Sequence, residues 1–235
     1  KDGTAFTTIG TSGVVFAHTS KVSIDPKGRV HTCCCAVPGA WHIMGVTQGA
    51  GLSLKWFKDQ FCQDYVAQAQ AVGCDVYDLI NKDVAEIGPG SNRLVYLPYL
   101  MGERTPHLDP DCRGVFFGLS AIHTRKHLLR AVMEGVSYSL CDCNEILKEM
   151  GVEVTQMMAC GGGGKSPVWR QMLADLYQCT VKTVRQDEGP ALGVAILAGV
   201  GCGIYPDVET ACSRLISEKS STDPVKNNAE VYADY

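Results

Sequence analysis

Two short glycine-containing turns constrain the fold of this 235-residue chain more than any other feature. The first, Gly10-Thr11-Ser12-Gly13, lies between two segments with the character of strands. The second, Gly161-Gly162-Gly163-Gly164-Lys165-Ser166, separates a strand-like segment from a helix-like one. Because glycine has no Cβ, the main-chain N–H groups of such turns can approach an anion closely. A strand–turn–strand unit and a strand–turn–helix unit in one domain can therefore hold a nucleotide from two sides.

Each turn also has a purely structural interpretation. The first can be an ordinary hairpin turn. In the second, Ser166 is a good helix N-cap with Pro167 at the first helical position, although four glycines are more than a cap needs. The second turn is not a P-loop, because the GxxxxGK[ST] pattern would need a glycine where Ala159 stands.

The order of the predicted elements indicates an α/β domain with a mixed sheet and helices on both faces. Strands are predicted at 5–9, 14–19, 29–36 and 41–47 as an antiparallel meander, and later at 94–97, 114–119, 154–159 and 181–184. Helices are predicted from Gly51 to about Phe61, over 75–87, from Thr124 to about Met150, over 166–177 and from Pro190 onward. The polar segment after Ser217 is expected to be a loop, and 229–235 has the pattern of a helix cut short.

Charge and hydropathy exclude several classes of protein. The formal net charge of −4 and the pI of about 5.9 argue against a nucleic-acid-binding protein, which usually carries a basic surface. No run of about 18 apolar residues predicts a membrane span, and no signal peptide is visible. We therefore expect a globular cytoplasmic protein that contacts neither nucleic acid nor membrane.

Twelve cysteines raise the question of disulfides or a metal site. Their spacing favours neither, since Cys33-Cys34-Cys35 are contiguous and no CxxC pair occurs. The histidines lack metal-ligand spacing except for His123 and His127, between which a helix is predicted to begin. We expect no bound metal at these residues and interpret the cysteines as small buried hydrophobic residues in a reduced environment.

Two further groups of residues have competing interpretations. Gly51 and Lys55 belong to a predicted amphipathic helix, in which an exposed lysine is the ordinary outcome. One proline-punctuated loop carries four polar residues, Glu103, Arg104, His107 and Asp109. This loop is expected to be solvated or salt-bridged to a neighbouring domain. It can also take part in a domain closure that assembles an active site and excludes water.

The motifs together resemble the C-terminal domain of the FGGY carbohydrate kinases over about residues 6–215. The most specific stretch is Gly114-x-Phe116-x-Gly118-Leu119, followed after seven residues by His127-Leu128-x-x-Ala131-Val132-Met133-Glu134. The segment YLPYLMGERTPH, from Tyr96 to His107, and both glycine turns also fit this family.

The resemblance implies an actin-like, ribonuclease-H-like ATPase domain that occupies residues 1–235 and lacks the N-terminal sugar-binding domain. It also implies ATP and Mg²⁺ as cofactors. The first glycine turn would face the β- and γ-phosphates, and Gly51 and Lys55 would line the nucleotide. The adenosine would lie along four residues of the second turn, Gly161, Gly162, Gly163 and Gly164, with Lys165 and Ser166 at its rim.

The family's catalytic aspartate lies upstream of the first glycine turn, outside this sequence, and Asp2 is not a substitute for it. We therefore expect no catalytic residue in this chain and no phosphoryl transfer by the chain alone. The expected function is that of the ATP-binding half of a kinase for a ketopentose, with D-xylulose, giving D-xylulose 5-phosphate, as the first candidate. Glycerol, gluconate and ribulose are alternative acceptors, and a non-catalytic actin-like nucleotide-binding module is the alternative from another class. A homodimer would be one way to cover the face that an absent domain leaves exposed.

Overall fold

The structure is a computed structural model that describes residues 3–186 and 189–235. Nine strands lie within these residues, seven in one sheet and two in another. They are β1 (Thr4–Ile9), β2 (Gly13–Thr19), β3 (His31–Cys34), β4 (Trp41–Thr47), β5 (Val95–Leu97), β6 (Val115–Phe117), β7 (Gln156–Cys160), β8 (Thr180–Val184) and β9 (Glu218–Thr222). β5 and β6 form the separate two-stranded sheet.

The large sheet has the order β3-β4-β2-β1-β7-β8-β9. Its first four strands are antiparallel to their neighbours, and Phe6 pairs with Phe16 and Val14 with Val46. They do not form the predicted meander, because β4 lies between β2 and β3, a pairing that local strand patterns cannot indicate. β7 runs parallel to β1, and β8 runs parallel to β7. The carboxyl ends of parallel neighbours meet at the same edge of a sheet. The two glycine turns, which directly follow β1 and β7, therefore leave the sheet side by side.

The sheet packs against helices around a core centred on one long helix. The helices are α1 (Gly51–Phe61), α2 (Gln63–Val72), α3 (Val76–Ala85), α4 (Arg125–Glu149), α5 (Gly161–Gly164), α6 (Pro167–Tyr177), α7 (Pro190–Gly201), α8 (Val208–Leu215) and α9 (Lys226–Tyr232). α4 crosses β2 and β4 and contacts α1, α3 and α6, and its Leu129, Met133 and Leu140 are fully buried. The predicted mixed sheet with packed helices is confirmed. Within the described residues, no helix combines the length and apolar character that crossing a bilayer requires.

Two sequence predictions fail at the periphery of the fold. The segment after Ser217 begins not as a loop but as β9, whereas the helix predicted at 229–235 is present as α9, which begins and ends three residues earlier. β9 is an edge strand that pairs only with β8, so its side chains can be polar without disturbing the core. α2 is missing from the predicted elements because it buries only Tyr65 and Ala69, too few residues to produce a clear apolar period.

The prediction that the cysteines are buried is wrong for most of them. All those in the described residues are free thiols, but only Cys62, Cys143 and Cys179 are buried. Cys33 and Cys34 are both exposed, since β3 is an edge strand and neither of its faces is covered by a helix. Alternation along a strand buries one side chain in two only where one face packs on a core.

A capping box that contains a histidine begins α4. Thr124 is the N-cap, as predicted, and its main-chain N–H donates to Nδ1 of His127 at 3.2 Å. The Thr124 side chain in turn accepts from the main-chain N–H of His127. Nδ1 can accept only while it is unprotonated. Burial lowers the pKa of His127, and the nearby His123 lowers it further.

Replacing His127 by glutamine is expected to remove part of the pH dependence of stability. The folded-state pKa of His127 lies below its unfolded value, so the stability from this cap is present at pH 7. It is lost as the pH falls through about 6.5, where the unfolded chain takes up the proton. Glutamine at this position keeps the capping box without titrating. Urea unfolding at pH 7.5 and pH 5 should show a fall that is smaller by about 1 kcal/mol in His127→Gln than in the wild type. Equal falls would show that the cap does not titrate in this range.

Candidate functional site

One cavity brings the two glycine turns together. It has a volume of about 420 Å³ and lies between the β1–β2 turn, the start of α1, one face of α3 and the turn that joins α5 to α6. This volume is in the range of small-molecule sites. Seven of the residues named from the sequence line it, namely Gly10, Thr11, Gly51, Lys55, Gly162, Gly163 and Ser166.

The β1–β2 turn is held in place through its carbonyl groups. The main-chain N–H of Gly51 donates to the Gly10 carbonyl at 2.7 Å, and that of Leu52 donates to the Thr11 carbonyl at 3.1 Å. A Cβ on Gly51 would overlap the Gly10 carbonyl oxygen, so only glycine permits this approach. In the described part of the chain, the main-chain N–H groups of Thr11 and Ser12 have no acceptor. Thr11 lines the cavity, so the turn brings an unpaired main-chain donor to it, as an anion site requires.

In the second turn, three of the four glycines are needed by the protein interior. Gly161 has a φ of +76°, and a Cβ on Gly163 would lie 2.5 Å from Cγ2 of Ile9. Gly164 is buried, and its Cβ would lie 3.1 Å from the carbonyl carbon of Ala159. A Cβ on Gly162 would meet no atom within 4 Å. Gly162 is thus the one of the four whose lack of a side chain has no explanation in the packing of the described residues, and it lines the cavity.

Four residues predicted for the site do not line this cavity. They are Ser12, Gly13, Gly161 and Gly164. Gly13 has a packing role, since its Cβ would lie 2.7 Å from Cγ2 of Thr47. Asp2 lies outside the described residues. Whether ligand approaches these positions stays a prediction.

Ser166 has the predicted N-cap role and a second contact that the sequence did not indicate. Its hydroxyl accepts from the main-chain N–H of Trp169 at 3.1 Å and donates to Oδ1 of Asn81 at 2.8 Å. Asn81 belongs to α3, which also contributes Tyr77 and Asp78 to the cavity wall. The spacing of four between Tyr77 and Asn81 is the signal that places both on one helix face. The spacing does not indicate that this face lines a cavity, because α3 lies beside the glycine turns only in the folded domain.

Charged side chains at the cavity roughly balance. Lys55 and Lys165 line it, and so do Asp75 and Asp78. Lys55 is exposed, as the structural interpretation expects, and forms an ion pair with Asp59. Hydrogen bonds from Lys55 and then Lys58 lower the pKa of Asp59. The main-chain donors of the first turn are therefore the better candidates for holding an anion.

Glu103 is buried, so the prediction of a fully solvated loop is wrong at this residue. Its Oε1 accepts from the main-chain N–H groups of Gln48 at 2.8 Å and Arg104 at 2.7 Å. Its Oε2 accepts from the hydroxyl of Thr47 at 2.5 Å. Thr47 ends β4, and the next residues lead into Gly51. Glu103 therefore fixes the segment that docks on the β1–β2 turn.

The exposed part of the same loop lies next to Glu103 in sequence. Arg104, His107 and Asp109 are exposed, and the His107 Nε2 lies 3.0 Å from the Tyr99 hydroxyl. The Glu103 carboxylate thus connects the start of an exposed polar segment with the segment that leads to Gly51 and the cavity.

Comparison with known proteins agrees with this arrangement. The model of the FGGY family of carbohydrate kinases, C-terminal domain, matches residues 5–202. A xylulose kinase of Bacillus subtilis strain 168 is 36% identical over 230 residues, which cover 98% of this chain and 44% of the relative. A gluconokinase of the same strain is 36% identical over 233 residues, which cover 99% of this chain and 45% of the relative. The chain thus spans a little under half the length of these relatives.

A solved structure gives the same result for the fold. The crystal structure of a xylulose kinase from Rhodospirillum rubrum matches with a TM-score of 0.86 and 27% identity, over 100% of this chain and 45% of that one. The mixed sheet with its helices is the actin-like ATPase fold expected from the sequence. The chain belongs to the FGGY family of carbohydrate kinases and matches the C-terminal domain of its members.

Proposed function

We propose that this chain is the ATP-binding part of a sugar kinase. The observation that carries the proposal is the single cavity lined by both glycine turns, with unpaired main-chain donors at one of them. The donors of the Gly10–Gly13 turn hold the β- and γ-phosphates, and the adenosine lies along Gly162, Gly163 and Ser166. Phosphoryl transfer depends mainly on positioning and charge stabilisation, and a rigid turn lined with donors supplies both.

Mg²⁺ accompanies the nucleotide in this proposal. Gly10 and Thr11 offer main-chain groups and one hydroxyl to the cavity, and neither residue carries a carboxylate. This donor set fits a Mg²⁺ ion that is held mainly by phosphate oxygens and water, as such ions commonly are. The ion would neutralise charge on the transferring phosphoryl group.

The catalytic base and most sugar contacts lie in an N-terminal domain that is not part of this sequence. The length of the relatives supports this, as does α7, an apolar helix whose Val194 and Leu197 are 67% and 37% exposed. An apolar helix in this state needs a covering surface, and the N-terminal domain supplies it. The isolated chain is accordingly inactive, and the complete enzyme is cytoplasmic.

The acceptor is D-xylulose, phosphorylated to D-xylulose 5-phosphate. Three xylulose kinases that match this chain at 36–37% identity support this choice. Gluconate is the second candidate, because gluconokinases match at the same identity. No described residue is assigned a contact with the sugar. The choice between xylulose and gluconate is therefore tested by the kinetics of the complete enzyme with both acceptors.

Gly162→Ala is the variant that tests the nucleotide site most cleanly. The added methyl group meets no protein atom, and alanine favours a helix over glycine by about 1 kcal/mol, so stability should be unchanged or raised. A nucleotide that approaches the backbone here meets the methyl group. Calorimetric titration with Mg-ATP should show affinity reduced by about tenfold or more, equivalent to about 1.4 kcal/mol.

Gly193→Ala is the matched control, since it also adds a methyl group to a helix without meeting any atom within 4 Å. It should leave ATP affinity unchanged. Wild-type affinity in Gly162→Ala would remove the second turn from the nucleotide site. Absence of ATP binding by the wild type at millimolar concentration would contradict the proposal for this chain by itself.

A further inference from the structure

One face of α3 forms part of the cavity wall and is not explained by phosphate binding. Ile80 and Val84 are fully buried in the core, whereas Tyr77, Asp78 and Asn81 line the cavity. The turn after β7 contributes Gly162, Gly163 and Ser166 to the same cavity, and Ser166 is in direct contact with the α3 face. Tyr77 and Asn81 are four residues apart, so their side chains lie one above the other on the helix.

The hydroxyl of Ser166 fixes which way the Asn81 amide points. The main-chain N–H of Trp169 donates to this hydroxyl, so the hydroxyl keeps its own hydrogen for another acceptor. That acceptor is Oδ1 of Asn81, at 2.8 Å. The amide oxygen is thereby occupied, and the two hydrogens of Nδ2 are left as donors.

No acceptor for Nδ2 of Asn81 is found within residues 3–186 and 189–235. The oxygen of this amide is held by a hydrogen bond, and its nitrogen is left as a donor at the cavity. Such an amide can recognise a hydrogen-bond acceptor on a ligand. Tyr77 places an aromatic ring next to it, and Lys58 Nζ lies 5.4 Å from the centre of that ring. An aromatic surface beside a fixed amide donor suits a flat nitrogen heterocycle with ring nitrogens that accept hydrogen bonds.

We propose that Asn81 recognises the base of the bound nucleotide by donating from Nδ2 to one of its ring nitrogens, beside the ring of Tyr77. This inference rests on the proposed function, because it assigns one end of the same cavity. The phosphates lie at the other end, at Thr11. Ser166 acts here through Asn81, since it holds the amide in the donating orientation.

The test uses three analogues of ATP, each with one ring nitrogen replaced by carbon: 1-deaza-, 3-deaza- and 7-deaza-ATP. Each is titrated into the wild type, into Asn81→Asp and into Asn227→Asp. Aspartate at position 81 still accepts from Ser166 but donates nothing. Asn227 is exposed on α9, so its variant adds the same charge as a control. Thermal unfolding of each variant shows that it is folded.

In the wild type, one of the three analogues should bind roughly tenfold more weakly than ATP, because it leaves the Asn81 donor without a partner. Asn81→Asp should bind ATP more weakly and should no longer distinguish that analogue from ATP. Asn227→Asp should behave as the wild type does. A structural role of Asn81 would weaken all four ligands alike and preserve the ratio between them.

Two outcomes contradict the inference in distinguishable ways. If ATP binds and all three analogues bind the wild type equally well, or if the ratio persists in Asn81→Asp, Asn81 does not recognise a ring nitrogen and the nucleotide site stands. If ATP itself fails to bind the wild type, the proposed function of the cavity fails and the role of Asn81 fails with it.

Discussion

Replacing Arg130 by methionine is expected to lower the free energy of unfolding by about 3–5 kcal/mol, the usual result of breaking a buried ion pair. Arg130 and Glu134 are both buried, and Nε of Arg130 lies 2.7 Å from Oε1 of Glu134. The same guanidinium donates to the Ile87 carbonyl at 2.6 Å and to the Tyr232 hydroxyl at 3.0 Å. Methionine preserves much of the volume of the arginine stem, so the loss comes from the charge and its hydrogen bonds.

The buried carboxylate accounts for the size of this effect. Burial raises the pKa of Glu134, and Arg130 is the main influence that opposes the rise. Without the guanidinium, the buried negative charge of Glu134 has no neighbouring positive charge, or the carboxylate must take up a proton. Among the described residues, its Oε2 already has no hydrogen-bond partner. The network also joins α4 to the loop at Gly90, whose main-chain N–H donates to Oε1 at 3.0 Å.

Urea unfolding of Arg130→Met measures the effect, with Lys126→Met as the control. Lys126 lies on the same helix and is paired with Asp83 and Glu86 at a more exposed position, so its loss should cost less than about 1 kcal/mol. The double variant with Glu134→Leu should recover part of the stability, because no charge is then buried. A loss below 1 kcal/mol in Arg130→Met would show that the pair is not stabilising.

The elements around the cavity that joins the two glycine turns were the predictable part of the fold. Alternating patterns and turn residues are local signals, and they correctly predicted β1, β2, β4 and the N-caps at Thr124 and Ser166. The parallel pairing of β1 with β7 joins residues about 150 positions apart, for which local patterns carry no information. The two glycine turns suggested that a ligand could be held from two sides, and the family resemblance indicated that both turns would reach one cavity.

The two side-chain roles that the sequence did not reveal share one physical property. Asn81 and Glu103 are polar residues whose roles depend on partners distant in sequence, Ser166 and Gln48. Nothing local distinguishes Asn81 from an exposed residue of an amphipathic helix, or Glu103 from a residue of a solvated loop. Exposure of the cysteines in β3 was missed for the same reason, because edge position follows from strand order and not from strand pattern.

Replacing Glu103 by glutamine is expected to weaken both folding and ATP binding. Glutamine keeps the shape of the side chain but removes the negative charge that accepts from two main-chain N–H groups, and its NH₂ group replaces the oxygen that accepts from the Thr47 hydroxyl. Stability should fall by about 1–3 kcal/mol. The segment that leads to Gly51 is then no longer fixed against the β1–β2 turn. We expect ATP affinity to fall by about tenfold, or about 1.4 kcal/mol of lost preorganisation.

Asp175→Asn is the control that separates the expected loss of stability from the expected loss of ATP affinity in Glu103→Gln. Asp175 is also a buried carboxylate that accepts from neutral donors only, the main-chain N–H of Val225 at 2.7 Å and the side-chain amides of Gln171 and Asn228 at 2.8 Å each. It joins α6 to the segment before α9, away from the β1–β2 turn. The variant should lose a similar amount of stability and keep wild-type ATP affinity, measured calorimetrically at a temperature where both variants are folded.

If Glu103→Gln also kept that affinity, the carboxylate would stabilise the fold without positioning the β1–β2 turn. Glu103 would then not couple the polar loop to the proposed nucleotide site.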